Sequence, residues 1–237
     1  MDFSLRRVNA LFIKELKDFF QNPNVLVMYM MPIIFAILYG KMMGTHIPKI
    51  TSLEICLLLT LAMVGCSSAA CLIAEEKEKN TLRTLMLSPL SPIEFLIGKS
   101  LISLLSCMVS SLIVFFIVNA PNVNLFLYII ISLISSITII ILGLIIGLLC
   151  KSQMETGIAS TPIIMILMLI PMFSGINSVL KSIANLCFTY HTLAAIYKIS
   201  EGKGFLDLKY NLLNIFVWLI ISSILLVFVY KKVKLDK

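Results

Sequence analysis

Long apolar runs broken by short polar segments dominate the chain, and a finer pattern appears only near the N-terminus. There Leu5, Val8, Phe12, Leu16 and Phe19 recur at three- and four-residue intervals, while Arg6, Arg7, Lys14 and Lys17 fall on the opposite side. This spacing predicts an amphipathic helix lying in the headgroup plane over residues 1–23. Six apolar runs follow, at about residues 24–43, 53–74, 97–118, 125–150, 157–180 and 212–230. Each is close to the ~20 residues that cross hydrocarbon. Pro32 interrupts the first and Pro162 and Pro171 the fifth, which membrane helices tolerate when neighbours satisfy the freed carbonyls. Gly143 and Gly147 in the fourth form a GxxxG, read as a close helix contact. The predicted fold is an all-α polytopic membrane protein, an interfacial helix followed by a six-helix transmembrane domain over residues 24–237.

Between the second and third runs lies a charged island, Glu75-Glu76-Lys77-Glu78-Lys79-Asn80-Thr81-Leu82-Arg83, in a cytoplasmic loop placed at residues 75–96. Beyond Asn80, Leu82, Leu85 and Met86 fall at helical spacing, so a short helix there presents an apolar stripe. Two readings of the stripe stand: it folds back onto the protein's own helix ends, or it docks on a second protein. Thirteen Lys and Arg lie on the side of both termini and the island, and six on the other. This bias predicts a multi-pass plasma-membrane protein with both termini in the cytoplasm. The outward segment 175–209 carries four lysines and two apolar pieces, 183–186 and 193–199, expected as short helices re-entering the outer leaflet.

Composition agrees: 59% hydrophobic residues, 13% charged and a mean hydropathy of +1.04 lie far outside the soluble range. The net charge of +7 sits at the chain ends and between apolar runs, which orientation explains and nucleic-acid binding does not. A cleaved signal peptide is not expected, and Asp2, Glu15 and Asp18 argue against a matrix-targeting helix. Cys56, Cys66, Cys71, Cys107 and Cys150 lie in or beside apolar runs without a CxxC pair, as small packing residues. No Asp, Glu, Lys, Arg or His falls in the central part of a run, which disfavours an ion-coupled antiporter and an intramembrane enzyme. Gly40-Lys41, Gly98-Lys99 and Gly202-Lys203 all lack the first glycine of a phosphate-binding loop. His46 and His191, the two histidines, are expected at the surface, with no metal or triad spacing around them. Neither a catalytic residue nor a metal ligand nor a bound cofactor is expected in this chain.

The island, followed by Ser88-Pro89-Leu90-Ser91 and Gly98-Lys99, resembles the cytoplasmic motif of the membrane subunit of type-2 ABC exporters. That family moves drugs, peptides, lipids or polysaccharides. Its pattern runs from paired acids through a Gly-Thr-Leu and a Ser/Thr-Pro-Val/Leu to a Gly-Lys. Asn80 stands where glycine is usual, and Asn is the next best residue for a positive-φ or capping position. Pro171-Met172-Phe173-Ser174-Gly175 and Thr189-Tyr190-His191 are similar to the family's outer Ser-Gly break and Pro-Leu-Thr-Tyr segment. The proline-rich stretch between them and the proline before Thr189 are absent. The resemblance implies the type-2 ABC exporter permease fold. It implies coupling to a separate ATPase through Glu75, Glu76, Glu78, Thr81, Leu82, Leu85, Met86, Ser88 and Pro89, and an outer gate at Pro171, Ser174, Gly175 and Tyr190. The partners it implies are two ATPase copies holding ATP and magnesium, a second permease subunit of the same or a different kind, and the bilayer. Spans of Leu, Ile, Val, Ser and Met without buried charge favour an amphipathic or hydrophobic cargo, such as a peptide, drug or lipid. A polysaccharide exporter and a non-transporting sensor or immunity protein are the alternatives.

Overall fold

The structure, a computed structural model, describes residues 5–42, 47–79 and 91–235. Helix α1 (Leu5–Gln21) is followed by α2 (Pro23–Met42), α3 (Lys49–Glu78), α4 (Pro92–Val118), α5 (Leu125–Leu149) and α6 (Gln153–Met172). Two short helices, α7 (Ser178–Ala184) and α8 (Phe188–Ser200), then precede α9 (Lys209–Leu235). All but α1, α7 and α8 are long and apolar enough to span a membrane, and the described residues contain no strand.

Helix α3 is the axis. Its apolar window is 78% buried, against 17% for α2 and for the last span. Leu57, Leu61 and Val64 of α3 pack in one core with Cys107 and Val114 of α4 and Tyr128 and Ile139 of α5. Through Thr60–Ser67 the axis helix winds as a wider π-type turn. Just below, the glycines of α5 let two backbones approach. A Cβ on Gly143 would lie 2.4 Å from the Cys66 carbonyl oxygen, and one on Gly147 2.6 Å from that of Ala70. The GxxxG is thus a contact within this chain. Several hydroxyls buried in the spans bond to their own helices, as Ser132 does to the Ile129 carbonyl at 3.0 Å and Thr138 to that of Ile134 at 3.0 Å. All six cysteines are free and buried.

Several boundaries differ from the sequence reading. The island does not begin as a loop, because α3 continues helically through Glu75–Glu78 before the described residues break off after Lys79. At its other side α4 starts at Pro92 behind a capping box of Ser91 and Glu94. The fifth span ends at Met172 instead of near residue 180. A turn follows, and Asn177 caps α7 by accepting from the Val179 amide at 3.2 Å.

Candidate functional site

Successive helical residues are rotated by ~100°, so four in a row sweep a full turn. Residues Glu75 to Glu78 of α3 use that sweep to hold four different surroundings. Glu75 accepts from Asn22 Nδ2 at 2.7 Å, while Asn22 Oδ1 accepts from the Asn24 amide at 3.0 Å and so caps α2. Glu76 Oε1 meets Lys14 Nζ at 2.7 Å and Lys99 Nζ at 3.0 Å, tying α3 to α1 and α4. Lys77 Nζ donates to the carbonyls of Gly147 at 3.1 Å, Cys150 at 2.9 Å and Leu148, where the last turn of α5 leaves acceptors unpaired. Glu78 Oε2 accepts from the Gln153 amide at 2.9 Å, an anion at the N-terminus of α6. One turn of α3 therefore gathers the ends of α2, α5 and α6 together with α1 and α4.

The N-terminal helix is clamped to both flanks of the segment 80–90. Lys99, only 2% exposed, lies between Glu15 Oε2 at 2.6 Å and Glu76 Oε1. Its neighbour Gly98 explains the reach: a Cβ there would stand 2.4 Å from Leu11 Cδ2, so glycine lets α1 settle close enough for Glu15 to meet Lys99. Arg7 donates to Glu94 Oε1 from Nε at 3.1 Å and Nη2 at 2.9 Å. Glu94 Oε2 accepts from the Ser91 amide at 2.7 Å, so Arg7 fastens the capping box that starts α4. Sequence reasoning missed Glu15, Glu94 and Lys99 as site residues. A signal for Glu15 was present: it stands four residues after Leu11 and four before Phe19, both buried, so an acid occupies the apolar stripe.

Thr81, Leu82, Leu85, Met86, Ser88 and Pro89 lie outside the described residues, as does His46. Glu75, Glu76 and Glu78 were expected to face basic residues of a partner. Their carboxylates are engaged within the chain, with Asn22, with Lys14 and Lys99, and with the Gln153 amide. On the other side, Pro171, Ser174 and Tyr190 line one cleft of about 550 Å³ between α3, α6 and α8. Gly175 shares an adjoining hollow with Ser174 and Tyr190. His191 is a correction: expected at the surface, it is 2% exposed on the inward side of α8. Its Nε2 donates to the Asn185 carbonyl at 2.9 Å, and the rings of Tyr190 and Tyr210 stand edge-on at 5.6 and 5.5 Å. Burial pushes its pKa below the ordinary 6.5, partly offset by the hydrogen bond to Asn185, and the nearby Lys198 charge lowers it further.

A family model described as ABC-2 family transporter protein matches residues 52–230, from the first turn of α3 almost to the end of α9. The chain belongs to the ABC-2 transporter family. No curated protein matches it. An ABC-2 permease is a multi-pass membrane component of an ABC transporter, generally not itself catalytic, and it works with an ABC ATPase subunit. In this permease the matched stretch takes in the Glu75–Glu78 junction and nearly all of the cleft at the opposite end of α3, whereas α1 and α2, with Glu15 and Asn22, precede it.

Proposed function

We propose that this permease is the membrane half of an ATP-driven exporter that carries an amphipathic or hydrophobic cargo, a peptide, drug or lipid, out across the plasma membrane. Both termini and the segment 80–90 face the cytoplasm. Two permease subunits and two ATPase subunits make up the assembly, and ATP and magnesium are held by the ATPases. The observation that carries this reading is the junction at Glu75–Glu78, which binds the ends of α2, α5 and α6, with α1 and α4, into one block beside the segment 80–90. A push on that segment by a closing ATPase pair acts on the whole inner end of the permease, because its two flanks are fixed to the same helix. Leu82, Leu85 and Met86 are the side chains that enter the ATPase groove, and Glu75, Glu76 and Glu78 transmit the movement to the helices they hold.

The test is Leu85→Asp. A carboxylate placed in a desolvated interface weakens docking by roughly 2–4 kcal/mol. The expected result is a protein that inserts in the membrane normally but no longer co-purifies with its ATPase and no longer supports transport. Full transport by the purified Leu85→Asp protein with its ATPase still bound would overturn the docking assignment.

A further inference from the structure

In α3 the residues from 55 to 74 carry no charge, and Glu54 and Glu75 stand at the two ends of that stretch. Twenty helical residues rise ~30 Å, the thickness of the hydrocarbon core, so the two acids mark its two edges. At the inner edge Glu75 is partnered by Asn22 and Lys79. Among the described residues Glu54 has no hydrogen bond and no ion pair, although it lines the outer cleft beside the apolar side chains of Ile55, Leu58 and Leu193. A carboxylate against an apolar wall without a partner is costly. The cations of the same cleft are occupied elsewhere. Lys203 pairs with Glu201 at 2.7 Å, and Lys198 Nζ donates to Asn211 Oδ1 at 3.0 Å and the Asp207 carbonyl at 3.3 Å. Tyr190 and Tyr197 also line the cleft and offer ring faces, which attract cations.

We propose that Glu54 is the recognition group of a binding site for a primary ammonium carried on an apolar body, with Tyr190 and Tyr197 beside the charge and the apolar wall of the cleft taking the body. A cleft of about 550 Å³ is within the range of small-molecule sites. This rests on the reading of the chain as a permease for amphipathic cargo and narrows that cargo to cations.

The experiment uses the full chain in phosphatidylcholine nanodiscs, without ATPase or nucleotide, and titrates octylammonium calorimetrically against empty discs. Octanol is the neutral shape match. The expected result is saturable binding of octylammonium, weakened about tenfold or more in Glu54→Gln and unchanged in Glu155→Gln, which removes the same charge from the other end of the molecule. Equal affinity for octylammonium in wild type and Glu54→Gln would overturn the site. So would displacement of octylammonium by octanol at equal concentration in the wild-type chain, a comparison that stands even if the variant fails to fold. Because no ATPase is present, a positive result holds whether or not the chain proves to be an exporter, and a negative one leaves the Leu85→Asp test of docking untouched.

Discussion

Lys99 and Glu15 are 84 residues apart in sequence and 2.6 Å apart in space, and both are almost wholly buried. Removing one member of a buried ion pair strands the other, at a cost of about 3–5 kcal/mol, whereas replacing both by neutral groups is far cheaper. Lys99→Met leaves Glu15 and Glu76 beside the half-exposed Lys14, so it should lower unfolding stability by that amount. Adding Glu15→Gln should recover part of the loss, a coupling readable in a double-mutant cycle of denaturant unfolding in detergent. A loss below about 1 kcal/mol for Lys99→Met would put the pair in the class of surface ion pairs. His191 gives a second expectation. Its folded pKa lies below the ordinary 6.5, chiefly through burial. Its contribution to stability is therefore complete above about pH 6.5 and is lost as pH falls from there toward the folded pKa. Thermal unfolding should drop between pH 6.5 and 5 more steeply in the wild type than in His191→Gln. Parallel curves would show that the ring charges without penalty.

At the scale of the element, the spans were legible because length and unbroken hydropathy suffice to identify them, and Gly143 and Gly147 announced their contact by spacing alone. The extension of α3 through Glu75–Glu78 was not. Four charged residues in a row read as a loop unless one knows that a capping asparagine, two lysines and the ends of two helices wait around them. Those partners come from residues 14 to 153, and no local period reports such distances. The amphipathic character of α1 was readable, but its attachment to α4 through Gly98 was not, because a glycine shows only that something approaches. The helix contact itself is open to test. In Gly143→Val the new Cβ would meet the backbone oxygen of Cys66, which cannot swing aside as a side chain can. Overpacking of this kind costs about 1–3 kcal/mol. Gly204→Val is the control, since nothing lies within 4 Å of the Cβ it adds. The expected result is a lowered melting temperature for the first variant and little change for the second.

The exposed faces of α6 and α9 both carry bulky apolar side chains, Ile158, Met165 and Ile166 on α6 among them, and the two helices differ at the N-terminal end of α6. Both helices are mostly uncovered. The exposed side of α9 is formed by Ile220, Ile224, Val227 and Phe228, bulky apolar side chains that suit lipid. The exposed side of α6 opens with Glu155, Gly157 and Thr161, and the Thr161 hydroxyl bonds back to the Gly157 carbonyl at 2.6 Å. A glycine and a threonine at four-residue spacing let a second helix approach closely, and a carboxylate in the first turn is poorly placed against acyl chains. In the proposed assembly the second permease subunit should therefore meet this one along α6, leaving α9 in lipid. Because all six native cysteines are buried, single cysteines can be introduced without removing them. Thr161→Cys should give a dimer-sized product with a short thiol cross-linker in native membranes when a second copy of this chain is present, and Ile224→Cys should not. The cross-linking rate of Thr161→Cys should also change when ATPase and ATP are added, because in the proposed mechanism closure acts on the Glu75–Glu78 junction and reaches α6 through Glu78 and Gln153. Cross-linking through Ile224→Cys alone would place the interface on α9 and detach it from the junction on which the proposed ATPase closure acts.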